Sequence, residues 1–183
     1  MTRPPPLFCN NTSMNMPNPK LDAEALYQAL AKQVKAGLAQ AENVALVGIY
    51  SGGAWLAERL AAELNLKERL GYIDVSFYRD DYAEKGLHAE VKPTQIPFEV
   101  DDATIVLVDD VLYTGRTTRA AINELFDYGR PAKIMLAALV DRGGRELPIA
   151  ADFVADHVTL ADDQQLVLQR ADDGRFSFTV AST

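Results

Sequence analysis

Asp109 and Asp110 stand side by side after an apolar run, residues 104–108, and Tyr113, Thr114, Gly115, Arg116 and Thr117 follow closely. A strand that delivers two carboxylates, then a turn with a glycine and two hydroxyls at the head of a helix, joins two kinds of binding. The N–H groups and dipole of a helix start attract an anion. Gly115 lets the backbone come close to that anion, and Thr114 and Thr117 can donate hydroxyl hydrogens. Carboxylates cannot take a phosphate directly. They suit sugar hydroxyls, or a Mg²⁺ ion bridging to the sugar. Residues 109–117 therefore read as a cradle for a ribose 5-phosphate. An acidic strand end or a capped helix would explain either half alone, but the whole ordered set after a strand favours the cradle.

Two further loops carry candidate chemistry. Tyr50, Ser51, Gly52 and Gly53 follow the apolar run 44–49, and their glycines could present backbone N–H groups beside a Ser51 hydroxyl. A plain glycine turn explains them equally well. A serine-hydrolase elbow needs Gly-x-Ser-x-Gly, and Gly48-Ile49-Tyr50-Ser51-Gly52 has the wrong spacing. Asp141 and Arg142, with Gly143, Gly144, Arg145 and Glu146, leave a third apolar run, residues 133–140. Cys9 is the single cysteine, so an intramolecular disulfide and a cysteine metal cluster are excluded, and His88 and His157 lack zinc-ligand spacing.

The elements that must position these loops follow from periodicity. Leu26, Leu30, Val34 and Leu38 predict a first helix capped by Asp22. Residues 44–49 predict a strand and residues 54–65 a helix with Leu56, Leu60 and Leu64 on one face. Alternating Ile73, Val75 and Phe77 predict a strand over 72–78. Residues 79–97 are polar and irregular, which suits a lid. Residues 104–108 predict a strand ended by Asp109 and Asp110, then a helix to Tyr128 closed by Gly129 and Pro131. Strands are expected at 133–140 and 153–158, and a hairpin at 165–170 and 175–180 around Asp172-Asp173-Gly174. This alternation predicts an α/β fold with a parallel sheet, helices on both faces, a flexible lid loop and a C-terminal β-hairpin. Ligands of such sheets bind at the carboxyl ends of the strands, where all three loops lie.

The 183 residues, 48% of them hydrophobic and 24% charged, fit one globular domain with a short tail. Residues 1–20, rich in Pro and Asn, are expected as a disordered tail, and residues 21–183 as the domain. Lys and Arg total 18 against 26 Asp and Glu, a net charge of −8, which argues against a non-specific nucleic-acid coat. No run is apolar enough to cross a membrane, and residues 1–20 lack the apolar centre of a secretory signal, so a cytoplasmic location is expected.

Residues 108–117, Val-Asp-Asp-Val-Leu-Tyr-Thr-Gly-Arg-Thr, resemble the 5-phosphoribosyl 1-diphosphate (PRPP) signature of type I phosphoribosyltransferases. Many members carry a small residue or Asp where this chain has Tyr113. In 6-oxopurine enzymes that Asp serves the purine N7, so its absence speaks against hypoxanthine or guanine. The aromatic residue resembles the PyrR family, pyrimidine-operon attenuators that are also uracil phosphoribosyltransferases. Residues 78–81, 129–132, 139–149 and 151–154 resemble it too, and the likeness spans about residues 21–180.

The resemblance implies uracil and PRPP as substrates, UMP and pyrophosphate as products, and Mg²⁺ as cofactor. It gives Asp109 and Asp110 the catalytic role and Tyr113, Thr114, Gly115, Arg116 and Thr117 the 5-phosphate. Ser51, Gly52, Gly53 and Arg79 would meet the pyrophosphate, with Lys85, His88 and Lys92 as other lid cations. Val140, Asp141 and Arg142 would meet the base. Relatives commonly carry Lys-Thr-Arg-Gly at residues 50–53 and often His at 144; here both cations of the first loop are missing and Gly144 stands instead. The family also implies a homo-oligomer, a dimer or higher. An RNA leader is the alternative partner, bound through Arg142, Arg145, Lys32 and Lys35. The charge of −8 and the missing cations favour the enzyme over the RNA-binding regulator.

Overall fold

The computed structural model of the chain describes residues 21–75 and 93–182. Helix α1, Ala23–Gly37, leads to strand β1, Val44–Ile49; helix α2, Gly52–Glu63, and a short 3₁₀ turn, Lys67–Arg69, lead to β2, Leu70–Ile73. Then follow β3, Thr104–Leu112, helix α3, Arg116–Tyr128, β4, Lys133–Asp141, and β5, Phe153–His157. The chain closes with β6, Gln164–Arg170, and β7, Phe176–Ser182. Five strands form one parallel sheet in the order β2-β1-β3-β4-β5, and β6 and β7 form an antiparallel hairpin.

Both faces of the sheet are buried, so its central strands are nearly continuous apolar runs. Leu46, Val106, Val108, Ala137 and Leu139 face α1, α2 and the hairpin; Ala45, Val47, Ile105, Leu107, Leu136 and Ala138 face the layer of Ala121 and Leu125 from α3. The alternation along each strand sends successive side chains to opposite layers. The expected α/β architecture and its C-terminal hairpin are borne out.

Three elements differ from expectation at their boundaries. Strand β3 does not stop at Val108 but continues through Asp109 and Asp110 to Leu112. The acids stay in the ladder because their charges are met locally: Asp110 N donates to Asp109 Oδ1 at 3.0 Å and Val111 N to Asp110 Oδ1 at 3.0 Å. Helix α2 begins at Gly52, so the two glycines form its first turn. Strand β2 runs from Leu70 to Ile73, where 72–78 was expected; residues 76–92, which include the lid cations Arg79, Lys85, His88 and Lys92, lie outside the described residues.

In α1 the Asp22 cap is as expected, its carboxylate accepting from Glu24 N and Ala25 N at 3.1 Å. The buried stripe, however, is Ala23, Tyr27, Leu30, Ala31 and Val34. A strict four-residue step drifts around a helix of 3.6 residues per turn, so Leu26 and Leu38 end at the margin of that stripe. Leu30 is wholly in the monomer core and is not available to a second copy of the chain.

Candidate active site

The strand order places β1 between β2 and β3, so the chain leaves β1 first to one side and later returns on the other. This reversal is the topological switch point, the place where open α/β sheets leave a crevice at their carboxyl edge. The loops following β1 and β3 meet there.

Their contact is tight. A Cβ on Gly52 would stand 2.3 Å from Asp110 Oδ2, and one on Gly53 would stand 2.2 Å from the Val108 carbonyl oxygen. Only glycine allows the head of α2 to lie against the acidic end of β3 this closely. The first-turn N–H groups of a helix lack intrahelical acceptors. Here they are carried on a turn without protruding side chains, directly beside Asp110. The Tyr50–Ser51 peptide is cis. Ser51 is the N-cap of α2, exposed, and makes no side-chain cap bond. Tyr50 stacks on Tyr72 with ring centroids 5.4 Å apart. Burial, then Asp74 and Glu58, push the Tyr50 phenol up, so it remains neutral in the physiological range.

Asp109 is buried and Asp110 half-buried. Thr114 is buried, and its Oγ1 accepts from Arg116 N at 3.3 Å. Gly115, at φ +90°, is the N-cap of α3, a left-handed turn that starts the helix directly after the strand. The Arg116 side chain points to Glu146, donating from Nε at 2.9 Å and from Nη2 at 2.5 Å. The cradle residues 113–117 therefore lie together at one helix start, with the Arg116 guanidinium engaged by a carboxylate. One turn further on, the Thr118 hydroxyl is buried without a hydrogen-bond partner among the described residues.

The third loop is tied onto the second. Arg142 N donates to Leu112 O at 3.0 Å, and Glu146 N and Leu147 N donate to Thr114 O at 3.0 and 3.2 Å. Arg145 fastens both: Nε donates to Ile149 O at 3.0 Å, Nη2 to Asp141 Oδ2 at 2.5 Å, and Nη1 to the Tyr113 carbonyl. Burial alone would raise the Asp141 carboxyl. The Arg145 hydrogen bond, the Gly143 N–H and the charges of Arg145 and His157 outweigh it and hold the carboxyl below its ordinary value. Asp141 is thus ionised and committed to Arg145 and Gly143, and Val140 is fully buried in the core. Of the three expected base contacts, Arg142 presents a polar side-chain group near the edge without a hydrogen-bonded or ionic partner among the described residues, its guanidinium carbon 3.9 Å from the Tyr113 ring centroid.

The sequence reading brought Ser51, Gly52, Gly53, Asp109, Asp110 and residues 113–117 to one edge, and the fold places all of them there. It missed Arg145 as the fastening of Tyr113 to the third loop. The only signal was its place beside Gly143 and Gly144, whose positive φ values mark an irregular backbone with carbonyls to satisfy.

Fold and site together define a type I phosphoribosyltransferase. Residues 20–165 match the phosphoribosyl transferase domain family. Among solved structures, a hypoxanthine phosphoribosyltransferase from Staphylococcus aureus superposes with a TM-score of 0.57 at 21% identity, covering 76% of this chain and 77% of that one. A purine phosphoribosyltransferase from Pyrococcus horikoshii gives 0.54 at 26% identity, with 75% and 83% covered. The particular family is narrower: the chain belongs to the PyrR phosphoribosyltransferases. It is 55% identical to the bifunctional protein PyrR of Ralstonia nicotianae, over 90% of this chain and 97% of that protein. It is 50% identical to those of Nitrosococcus oceani, over 90% and 96%, and Pseudomonas aeruginosa, over 85% and 90%.

Proposed function

We propose that the chain transfers the phosphoribosyl group of PRPP to uracil, giving UMP and pyrophosphate. The observation that carries this reading is the seat of Gly52 against the Asp110 carboxylate, which joins an anion-receptive helix start to a sugar-receptive acidic pair. Membership of the PyrR family supports the pyrimidine, and Tyr113 in place of an acid supports it against 6-oxopurines.

In the reaction the bond from ribose C1 to the pyrophosphate oxygen breaks, the bond from C1 to uracil N1 forms, and the N1 proton leaves. Asp109 and Asp110 orient the 2- and 3-hydroxyls, and their charge favours the cationic character that develops on the ribose. Residues 114–117 anchor the 5-phosphate, so binding far from C1 is used to orient the reacting carbon. Ser51, Gly52 and Gly53 receive the pyrophosphate, with Arg79 as the sequence-assigned lid cation. Backbone groups of Val140 and Asp141 and the Arg142 side chain border the base. Among the described residues no cluster of three or more His, Cys, Asp or Glu side chains could hold a metal alone. Asp109 or Asp110 would hold Mg²⁺ together with the substrate phosphates, since that ion binds through one or two carboxylates plus such phosphates. There the ion would supply positive charge against the departing pyrophosphate. Release of pyrophosphate from PRPP on addition of uracil tests the reading; no release contradicts it.

The word bifunctional in the relatives' names supports a second activity, an RNA-binding regulator of pyrimidine operons that responds to UMP. Its cations would come from Arg142, Arg145, Lys32 and Lys35, and Arg145 is already committed within the fold. Titration of a pyrimidine-operon leader against an unrelated hairpin at several salt concentrations tests it; UMP-enhanced selectivity supports it and equal affinities overturn it. A homo-oligomer in the cytoplasm completes the proposal, and among the described residues no helix is long and apolar enough to cross a membrane.

A further inference from the structure

Residues 142–149 clasp the turn that opens α3. Three successive carbonyls of that turn are taken by them. Leu112 O accepts from Arg142 N at 3.0 Å, Tyr113 O from Arg145 Nη1, and Thr114 O from Glu146 N at 3.0 Å and Leu147 N at 3.2 Å. Side chains of the same segment pack against Gly115, where a Cβ would stand 3.0 Å from Ile149 Cγ1 and 3.5 Å from Leu147 Cβ. Gly144 fits as closely against the Tyr113 ring, since a Cβ there would stand 2.4 Å from Cε2. A trans peptide is planar, with its C=O and N–H on opposite sides. Each carbonyl drawn toward the segment therefore turns the next residue's N–H away from it. The N–H groups of Tyr113, Thr114 and Gly115 are turned in this way, and successive backbone N–H groups in a turn make an anion-binding concavity.

The bonds to Leu112 O and Thr114 O come from main chain and follow from the course of the segment. The bond to Tyr113 O depends on one side chain. The Arg145 guanidinium is itself held, with Nε on Ile149 O at 3.0 Å and Nη2 on Asp141 Oδ2 at 2.5 Å, so the direction of Nη1 is fixed. All three nitrogens of a rigid fork are used. A lysine has one nitrogen on a flexible stem and cannot hold the three acceptors together.

We propose that Arg145 is a positioning residue for the ribose 5-phosphate. By holding the Tyr113 carbonyl it sets the 113–114 peptide with its N–H toward the phosphate before substrate arrives, and it touches no substrate itself. This inference rests on the phosphoribosyl-transfer reading and deepens it.

The test compares the wild-type protein with R145K, R145A and, as a control outside the site, R59A, which removes the guanidinium paired with Glu24 at 2.9 Å. For each, kcat, the KM values for PRPP and uracil and the melting temperature are measured. Nitrogen-15 NMR follows the Thr114 and Gly115 amides as ribose 5-phosphate is added. In R145K the PRPP KM and the ribose 5-phosphate Kd should rise by on the order of tenfold, the effect of one misaimed hydrogen bond to a charged group. The uracil KM should change far less, because the lysine ammonium still pairs with Asp141. R145A should go further in the same direction. The Thr114 and Gly115 resonances should already differ in both ligand-free Arg145 variants. R59A should melt earlier with both KM values and both resonances near wild type. An R145K protein with wild-type PRPP KM and ribose 5-phosphate affinity would overturn the proposal, whether or not R145A folds. So would Arg145 variants that melt earlier and otherwise behave as R59A does. A wild-type protein that ignores uracil would remove the uracil reading alone. The ribose 5-phosphate titration would still decide the role of Arg145, and wild-type Thr114 and Gly115 amides that ignore that ligand would overturn it.

Discussion

Arg145 and Arg59 each anchor a cluster that joins distant parts of the chain, yet they hold different things. Arg59 lies among regular elements. Its Nη1 donates to both Glu24 carboxylate oxygens at 2.9 Å, and its guanidinium carbon is 4.2 Å from the Tyr27 centroid and 5.3 Å from that of Phe176. Glu24 in turn accepts from Phe176 N at 2.7 Å, and Tyr27 donates to Glu63 at 2.9 Å. Burial, followed by that Glu63 bond, pushes the Tyr27 phenol far above its ordinary range. The cluster fastens the C-terminal hairpin to α1 and α2. Arg145 instead lies where the backbone has left the sheet, and its partners are two loop carbonyls and one carboxylate. Regular elements satisfy their own backbone, so Arg59 is used to join side-chain faces; loops do not, so Arg145 is used to fix main chain. The hairpin side is built for stability and the carboxyl edge for geometry.

The sharpest separation is expected from Asp110→Asn, which keeps shape and removes charge at the carboxyl edge. Turnover should fall by about 10²-fold or more with the melting temperature nearly unchanged. Retained activity would make the acidic pair merely structural. Arg59→Ala should do the reverse. Loss of the stacked, hydrogen-bonded guanidinium should cost about 2 kcal/mol and lower the melting temperature by roughly 4–8 °C, with activity per folded molecule preserved. Calorimetry beside a rate measurement checks both, and a large fall in kcat with unchanged melting would erase the contrast.

Acid should weaken the loop clamp first. The folded Asp141 carboxyl titrates below its unfolded value, so its contribution is complete above about pH 4 and is lost as pH falls through the lower folded value. Denaturant melts from pH 5 down to pH 3 should therefore show a steeper loss in the wild-type protein than in Asp141→Asn. Parallel curves would show that Asp141 is not held ionised by Arg145. The smallest effect belongs to neither region: deletion of residues 1–19, a Pro- and Asn-rich stretch without apolar periodicity, should leave melting and turnover nearly unchanged. A fall of several degrees would add a third contributor to the fold.

What was legible in the sequence followed the same division. The parallel sheet, the hairpin and the cradle residues could be read because hydrophobic period and turn chemistry are local. The length of β3 was misread because charge normally ends a buried strand, and here each Asp carboxylate is met by the next residue's N–H. The start of α2 at Gly52 was misread because glycine rarely opens a helix interior, and here it admits the Asp110 carboxylate instead of serving the helix. Arg59 to Glu24, Arg145 to Tyr113 and Gly144 to Tyr113 are contacts between residues far apart in sequence, and no local pattern announces them.

The central claim is that the apposed loops after β1 and β3 form a phosphoribosyl-transfer site for a pyrimidine. It is tested most directly by incubating the purified protein with Mg²⁺ and PRPP and supplying uracil, hypoxanthine or guanine in turn. UMP and pyrophosphate should form in equal amounts with uracil, and the purine bases should not substitute. Equal rates with a purine, or no pyrophosphate with uracil, would contradict the account.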